Sequence, residues 1–233
     1  EVTNSEQINN CIEIKSCGSI EQNDNFKQGL FHVQDLSSQL CCLALSPKKG
    51  EIVLDLCAAP GGKTFTLAEI MDNSGQIFAF DIHQKRVDMI KSGADRLKIT
   101  IIKALIGNAK VFDAEIPFAD KILCDVPCAG LGVISKKPEI KYKNPDELKD
   151  LPKIQYEIIE NAVKYLKVGG ELVYSTCSLS KEENDEVIDK FLSLNSNFKG
   201  INFVTEFGTP FGDYKATILP EHFNSDGFFI SKI

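Results

Sequence analysis

The fold is decided by residues 52–64, which read IVLDLCAAPGGKT. The first part is an apolar run of strand length, and the small residues that follow predict a tight turn. Residues 63–71 then have the composition of a helix. A strand, a glycine-rich turn and a helix in immediate succession present the free N–H groups of the helix start to the space above the strand.

Strand-like and helix-like segments alternate along the rest of the chain. The predicted strands are residues 52–57, 76–81, 99–104, 121–125 and 171–176, with further strands around 203–204 and 228–230. The predicted helices are residues 33–45, 63–71, 84–97, 151–166 and 181–192. This alternation predicts an α/β fold, a mostly parallel sheet with helices on both faces. Ligands of such sheets bind at the carboxyl ends of the strands.

The domain prediction has two parts. Residues 1–28 are polar with little periodicity, which predicts an irregular lead-in. Residues 1–45 are therefore expected to form a lead-in and a helix packed on the core, and residues 46–233 a single α/β domain.

Composition excludes several classes of protein. The chain has 233 residues, of which 43% are hydrophobic and 25% charged, so collagenous, disordered and disulfide-scaffold proteins are excluded. It has neither 18 consecutive apolar residues nor an N-terminal signal-peptide pattern, which predicts a cytoplasmic protein without a membrane span. The net charge of −7 argues mildly against nucleic-acid binding, although a local basic stripe can still contact phosphates.

The eight cysteines are not expected to form disulfides or a metal site. Without a secretory segment the compartment is expected to be reducing. There is no CxxC pair, and His32, His83 and His222 lie far from the cysteines in sequence, so no zinc site is predicted. Most of these thiols should be small buried hydrophobic groups.

The glycine-rich turn suits a nucleoside-containing cofactor. Ala58, Ala59, Gly61 and Gly62 allow a ligand to approach the backbone closely. Asp81 ends the next strand about 20 residues later, where an acid can accept hydrogen bonds from both ribose hydroxyls. Two alternatives remain open. One is a P-loop, although Cys57 occupies the position where that motif needs its first glycine. The other is a tight turn that binds no ligand.

Two cysteines follow predicted strands at the same edge of the sheet. Cys128 follows Asp125 after one strand, and Cys177 follows another. Taken alone, each cysteine would more commonly be a residue that packs in the core. Taken together with the cofactor turn, the two cysteines suit methylation of cytosine C5. A thiolate that adds to C6 makes C5 nucleophilic. Asp125 near N3 would stabilise charge on the ring, and a second thiol is one candidate for helping to remove the C5 proton.

The chain resembles the RNA (cytosine-C5) methyltransferase family of the Sun or RsmB type, which modifies bacterial 16S ribosomal RNA. The matching segments are residues 29–35, 55–64, 125–132, 169–170, 174–178, 182–184 and 226–229. The resemblance implies a Rossmann-like methyltransferase domain that binds S-adenosylmethionine. The cofactor residues it implies are Cys57, Ala58, Ala59, Pro60, Gly61, Gly62, Lys63, Asp81 and Asp125. It also implies Cys177 as the nucleophile, Cys128 as the thiol that assists release, and Lys63 beside Asp125. DNA cytosine methyltransferases use the cysteine after proline as nucleophile, so the exchanged roles remain an alternative.

The sequence departs from the family in two places. Asn108 stands where the family often has an aspartate near the adenine, and its carbonyl oxygen can still accept from an adenine amino group. No NusB-like helical domain precedes Glu1, so the chain is expected to be part of a longer protein or a shorter relative.

The expected partner is RNA, with 16S ribosomal RNA as the first candidate, and the protein is expected to bind it as a monomer. In residues 134–143, the lysines are candidates for phosphate contacts and Tyr142 for base stacking. The alternative is that this segment is a solvated loop without a binding role. An RNA-binding assembly factor with vestigial catalysis, and a methyltransferase for tRNA, DNA or a small molecule, are the other possible functions.

Overall fold

The computed structural model describes residues 2–5, 8, 10–14, 18–203 and 213–233. The strands are β1 Val2–Asn4, β2 Ile12–Ile14, β3 Ile52–Asp55, β4 Gln76–Asp81, β5 Ile102–Ile106, β6 Ala119–Asp125, β7 Leu166–Thr176, β8 Lys215–Ile218 and β9 Phe228–Lys232. The α-helices are α1 Asp24–Lys27, α2 Leu36–Leu45, α3 Gly62–Ile70, α4 Gln84–Leu97, α5 Pro145–Leu148, α6 Leu151–Ala162, α7 Asp185–Leu194 and α8 Pro220–Phe223.

The larger sheet of the described residues has the strand order β5-β4-β3-β6-β7-β9-β8. Strands β3 to β7 are parallel, and β8 and β9 are antiparallel additions at one side. This confirms the predicted mostly parallel α/β sheet. The carboxyl ends of β3, β4, β6 and β7 share one edge, and the candidate site residues follow these ends.

Helices cover both faces of the sheet, as predicted. Successive strand residues point to opposite faces, so Val53 belongs to one apolar cluster and Leu54 to another. The Val53 cluster includes residues of α2 and α3, and a neighbouring cluster joins Ala79 of β4 to α4. The Leu54 cluster includes residues of α6 and α7. Among the described residues, strands β3 and β6 are therefore covered on both faces, and their carboxyl ends are the place where a ligand can reach them.

Several predicted boundaries were wrong for local reasons. Helix α2 begins at Leu36 and not at residue 33, because the Asp35 side chain accepts from the Ser37 N–H at 3.0 Å and caps it. Strand β5 spans Ile102–Ile106, and not residues 99–104, since α4 ends on left-handed Lys98 and the chain needs a few residues to reach the sheet.

Two helices in the second half also differ from prediction. Helix α6 ends at Ala162, and a 3-10 turn leads directly into β7 at Leu166. Helix α7 begins at Asp185 because residues 181–184 form a turn whose side chains bond to loops of the site. Phe203 lies outside any strand, and the predicted strand residue Val204 lies outside the described residues.

The prediction of an irregular lead-in was wrong in part. Strands β1 and β2 pair antiparallel, and Asn23 caps the short helix α1. Arg96 of α4 donates to the carbonyls of Phe26 at 2.6 Å and Phe31 at 3.1 Å, and its guanidinium lies 3.8 Å from the Phe26 ring centre. These contacts fasten residues 26–31 to the end of α4. Elements this short leave too little periodicity in the sequence to be predicted.

Candidate active site

A lysine–aspartate pair lies where α3 begins and β6 ends. Lys63 Nζ donates to Asp125 Oδ2 at 2.8 Å, and Ser175 Oγ donates to Asp125 Oδ1 at 2.9 Å. The two charged side chains are 13% and 27% exposed. Burial alone would lower the pKa of Lys63, but the charge of Asp125 raises it above its usual value, so the ammonium stays protonated. Both carboxylate oxygens are thus held in fixed positions by donors.

The two predicted cysteines meet beside this pair. Cys128 Sγ and Cys177 Sγ lie 3.3 Å apart. The hydrogen bond from Cys128, supported by the charge of Lys63, lowers the pKa of Cys177. The same bond, burial and the negative charges of Asp125 and Glu183 raise the pKa of Cys128. Of the two thiols, Cys177 is therefore the more acidic.

Four of the other described thiols, Cys41, Cys42, Cys57 and Cys124, have a raised pKa because of burial. Cys41, Cys42 and Cys124 are buried, which is three of the seven described cysteines and not the majority that was predicted. Burial raises the pKa of Cys41 to about 12 and raises that of Cys57 well above its usual value. The seven cysteines within the described residues are free thiols, and Cys17 lies outside those residues.

The glycine-rich turn has the close packing expected of a ligand loop. Gly61 adopts a φ of +111°, and a Cβ there would lie 2.5 Å from the Phe65 ring. Asp55 below the turn accepts from Thr64 Oγ1 at 2.7 Å, and burial raises the pKa of this carboxyl to about 7. The turn is therefore supported from beneath by the Asp55–Thr64 hydrogen bond.

Asp81 ends β4 next to this turn, as predicted. Its Oδ1 accepts from the His83 N–H at 3.0 Å, and Arg86 Nη1 lies 3.3 Å from Oδ2. Arg86 Nη2 also donates to the Ala59 carbonyl at 2.8 Å, which joins Asp81 to the turn. A carboxylate has about four acceptor positions, so Asp81 can still accept from ribose hydroxyls.

A cavity of about 220 Å³ lies beyond Asp81, beside Asn108. Asn108 Oδ1 accepts from the Lys110 N–H at 3.1 Å and keeps a second lone pair for a ligand. Asn161 was not among the predicted site residues, but it lines the same cavity, and its buried Oδ1 has no hydrogen-bond partner among the described residues. The cavity is otherwise mostly apolar, with walls from Leu56, Phe80, Ile106, Ala109, Ile116 and Tyr165. Such a space, with amide groups at its rim, fits a purine ring.

The lysines of residues 134–143 do not act alike. Lys136 Nζ pairs with Asp35 at 2.6 Å and Asp226 at 2.8 Å, and Lys143 Nζ donates to the Ala129 carbonyl at 3.1 Å. These two lysines hold the loop in place. Lys137, Lys141 and Tyr142 are exposed, with Tyr142 at 88%.

Three side chains that sequence reasoning left without a role also belong to the site. Ser175 orients Asp125, while Glu183 and Gln155 bond to the loops that carry the cysteines. Glu183 lies in one of the segments matched to the family, but nothing in the local sequence shows what its carboxylate contacts.

Two other kinds of functional feature are absent from the described residues. Within the described ranges, no three His, Cys, Asp or Glu side chains are grouped so that they could hold a metal ion. Among the described helices, none combines the length and apolar character needed to cross a bilayer.

The sheet order, the glycine turn and the acid after the next strand define the Rossmann-like fold of S-adenosylmethionine-dependent methyltransferases. NSun6 from Pyrococcus horikoshii, solved with the S-adenosylmethionine analogue SFG, superposes with a TM-score of 0.79 at 32% identity, covering 93% of this chain and 56% of that one. A methyltransferase homologue from the same organism gives 0.77 at 34% identity, covering 93% and 72%. The family model described as 16S rRNA methyltransferase RsmB/F matches residues 42–233, and the chain belongs to this family.

Curated relatives agree with this assignment. The probable ribosomal RNA small subunit methyltransferase B of Bacillus subtilis is 43% identical over 223 residues, which cover 91% of this chain and 49% of the relative. Ribosomal RNA small subunit methyltransferase B of Proteus mirabilis is 37% identical over 227 residues, covering 96% and 50%. The chain thus spans about half the length of the curated relatives it matches.

Proposed function

We propose that this chain transfers a methyl group from S-adenosylmethionine to C5 of a cytosine in 16S ribosomal RNA, through a covalent bond between Cys177 and C6. The observation that carries the proposal is the approach of the two sulfur atoms to 3.3 Å beside the Lys63–Asp125 pair, at the same sheet edge as the glycine turn. The names of the relatives support ribosomal RNA as the substrate. We further propose that residues 46–233 are the methyltransferase domain on which residues 1–45 pack.

In this mechanism the thiolate of Cys177 forms the bond to C6, and the electron pair moves toward N3 and C5. The Lys63–Asp125 pair would face N3, where a proton passed from Lys63 through Asp125 neutralises the negative charge that develops and returns when the C6–S bond breaks. Ser175 holds the Asp125 carboxylate in place. The bound cofactor supplies the electrophilic methyl group. Loss of the Cys177 charge on bond formation removes the main cause that raises the pKa of Cys128. Cys128 can then lose its own proton to water and, as a thiolate, take the C5 proton, after which the C6–S bond breaks and the Cys177 thiolate returns.

The cofactor contacts are proposed along the same sheet edge. The loop from Cys57 through Ala58, Ala59, Pro60, Gly61 and Gly62 to Lys63 would lie against the methionine part, next to Asp125. Asp81 would accept from the ribose hydroxyls, and Asn108 would bond to the adenine.

Substitution Asp81→Ala tests this placement. The loss of two hydrogen bonds to an ionised acceptor is expected to weaken S-adenosylmethionine binding by about 10- to 100-fold. Isothermal titration of the folded variant measures the dissociation constant. Asp88→Ala is the control, since Asp88 is an exposed acid on α4, the helix that follows Asp81. An unchanged dissociation constant for Asp81→Ala would remove this residue from the cofactor site.

RNA contacts are proposed for the exposed side chains after the Cys128 loop. Lys137 and Lys141 are free to meet phosphates, and the Tyr142 ring can stack on a base. A target base in paired RNA would have to be flipped out to reach the sulfurs.

The overall activity is tested by mapping modified bases. The protein is incubated with S-adenosylmethionine and unmodified small-subunit RNA, and new 5-methylcytosine is located by mass spectrometry. A single modified cytosine in this RNA is expected, with no product in tRNA or duplex DNA. Modification of tRNA or DNA instead would change the substrate, and RNA binding without methylation by the full-length protein would indicate an assembly factor.

A further inference from the structure

We propose that Glu183 is a positioning residue that holds the loops of Cys128 and Cys177 at the separation needed to release the methylated base. The inference rests on the proposed function, and it assigns a separate task to a side chain that touches neither sulfur. The juxtaposition that carries it is one buried carboxylate bonded to the residue that follows each cysteine.

The contacts of Glu183 divide between the two loops. Its Oε2 accepts from the N–H of Ala129, the residue after Cys128, at 2.8 Å. Its Oε1 accepts from Oγ of Ser178, the residue after Cys177, at 2.8 Å. Glu183 is only 4% exposed, and a carboxylate this buried is costly unless its acceptor positions are filled. Its place between the loops is therefore fixed by the donors on both sides.

Gln155 of α6 extends this support to the other side of Cys128. Its Nε2 donates to Glu183 Oε2 at 2.9 Å and to the carbonyl of Pro127 at 2.9 Å. The peptide groups on both sides of Cys128 are thus tied to one pair of side chains. On the Cys177 side, Asn184 Nδ2 donates to the Ser178 carbonyl at 2.9 Å and secures that loop separately.

The two chemical steps depend differently on this support. Bond formation to C6 needs the Cys177 thiolate, whereas proton removal from C5 needs Cys128 close to the same ring. A looser Cys128 loop should therefore slow release more than attack. A merely structural residue would, when lost, lower both steps together.

The first experiment measures the sulfur pair without RNA. The protein is equilibrated with glutathione and glutathione disulfide, which convert the two thiols into a protein disulfide as glutathione disulfide is reduced to two glutathione molecules. Mass-spectrometric peptide mapping quantifies the Cys128–Cys177 bond. In Glu183→Ala the equilibrium constant for this bond is expected to fall about 10-fold. Glu183→Gln keeps an acceptor for Ala129 and is expected to stay within about 2-fold, as is the control Glu182→Ala at an exposed neighbour.

The second experiment measures the chemistry. With S-adenosylmethionine and RNA, Glu183→Ala is expected to accumulate a denaturant-stable protein–RNA adduct while 5-methylcytosine production falls, and Glu183→Gln is expected to restore release. If circular dichroism shows that Glu183→Ala does not fold, Gln155→Ala is used and is expected to change both readouts in the same direction. A folded variant with an unchanged disulfide equilibrium, or with equal loss of attack and release, would overturn the proposal. If the wild type makes no 5-methylcytosine, the proposed function fails, but the glutathione experiment still tests the positioning role.

Discussion

Cys177→Ser is expected to abolish methyl transfer, whereas Cys128→Ser is expected to leave the RNA covalently attached to the protein. Cys177 is the more acidic of the two thiols, because the hydrogen bond with Cys128 and the charge of Lys63 lower its pKa. A serine hydroxyl at this position has a far higher pKa and is a poor nucleophile for C6, so product formation should fall by about 10³-fold or more. Serine in place of Cys128 leaves the attack intact but removes the base for the C5 proton.

Gel analysis under denaturing conditions, combined with transfer of a tritiated methyl group, separates these outcomes. Cys11→Ser is the matched control, since Cys11 lies outside the site and should leave both readouts unchanged. An adduct in Cys177→Ser and none in Cys128→Ser would give the nucleophile role to Cys128, as in DNA cytosine methyltransferases. Absence of an adduct in either variant, with wild-type turnover intact, would contradict a covalent intermediate.

The parts of the fold that could be predicted are those with strong local signals. Strand β4 and helix α4 have the predicted bounds, because an apolar strand ending in an acid and a clear helical period define them without help from distant residues. The start of α7 could not be predicted in this way. Glu183 and Asn184 continue the helical pattern in sequence, but their side chains bond to loops of the site and keep the backbone out of the helix.

The candidate site was likewise predictable in the parts that follow from strand order, and not in the parts that depend on contacts between distant segments. The meeting of Cys128 with Cys177 follows from the rule that carboxyl ends of parallel strands share an edge. The resemblance added the pairing of Lys63 with Asp125, which the structure has at 2.8 Å. The engagement of Lys136 by Asp35 and Asp226 could not be foreseen, because it joins three segments that are distant in the chain.

The Lys63–Asp125 pair gives the second large expected effect, and its two consequences can be separated. Lys63→Met removes the positive charge and one of the two hydrogen-bond donors of the Asp125 carboxylate. Ser175 then remains as its donor, in a site that is mostly closed to water. The free energy of unfolding is expected to fall by roughly 1–3 kcal/mol, a range kept low because the Asp125 side chain is 27% exposed. Single-turnover methylation is expected to fall by about 10²- to 10³-fold, since the pair no longer supplies a proton to neutralise the charge at N3.

The double variant Lys63→Met with Asp125→Asn distinguishes stability from catalysis. It removes both charges together, and the amide of Asn can still accept from Ser175, so urea denaturation should show most of the lost stability restored. Methylation should remain low, because neither a charged acid nor its partner faces the base. A pair that served only to stabilise the fold would regain activity along with stability. If the double variant is no more stable than Lys63→Met alone, the two side chains are not energetically coupled and the role assigned to their ion pair is wrong.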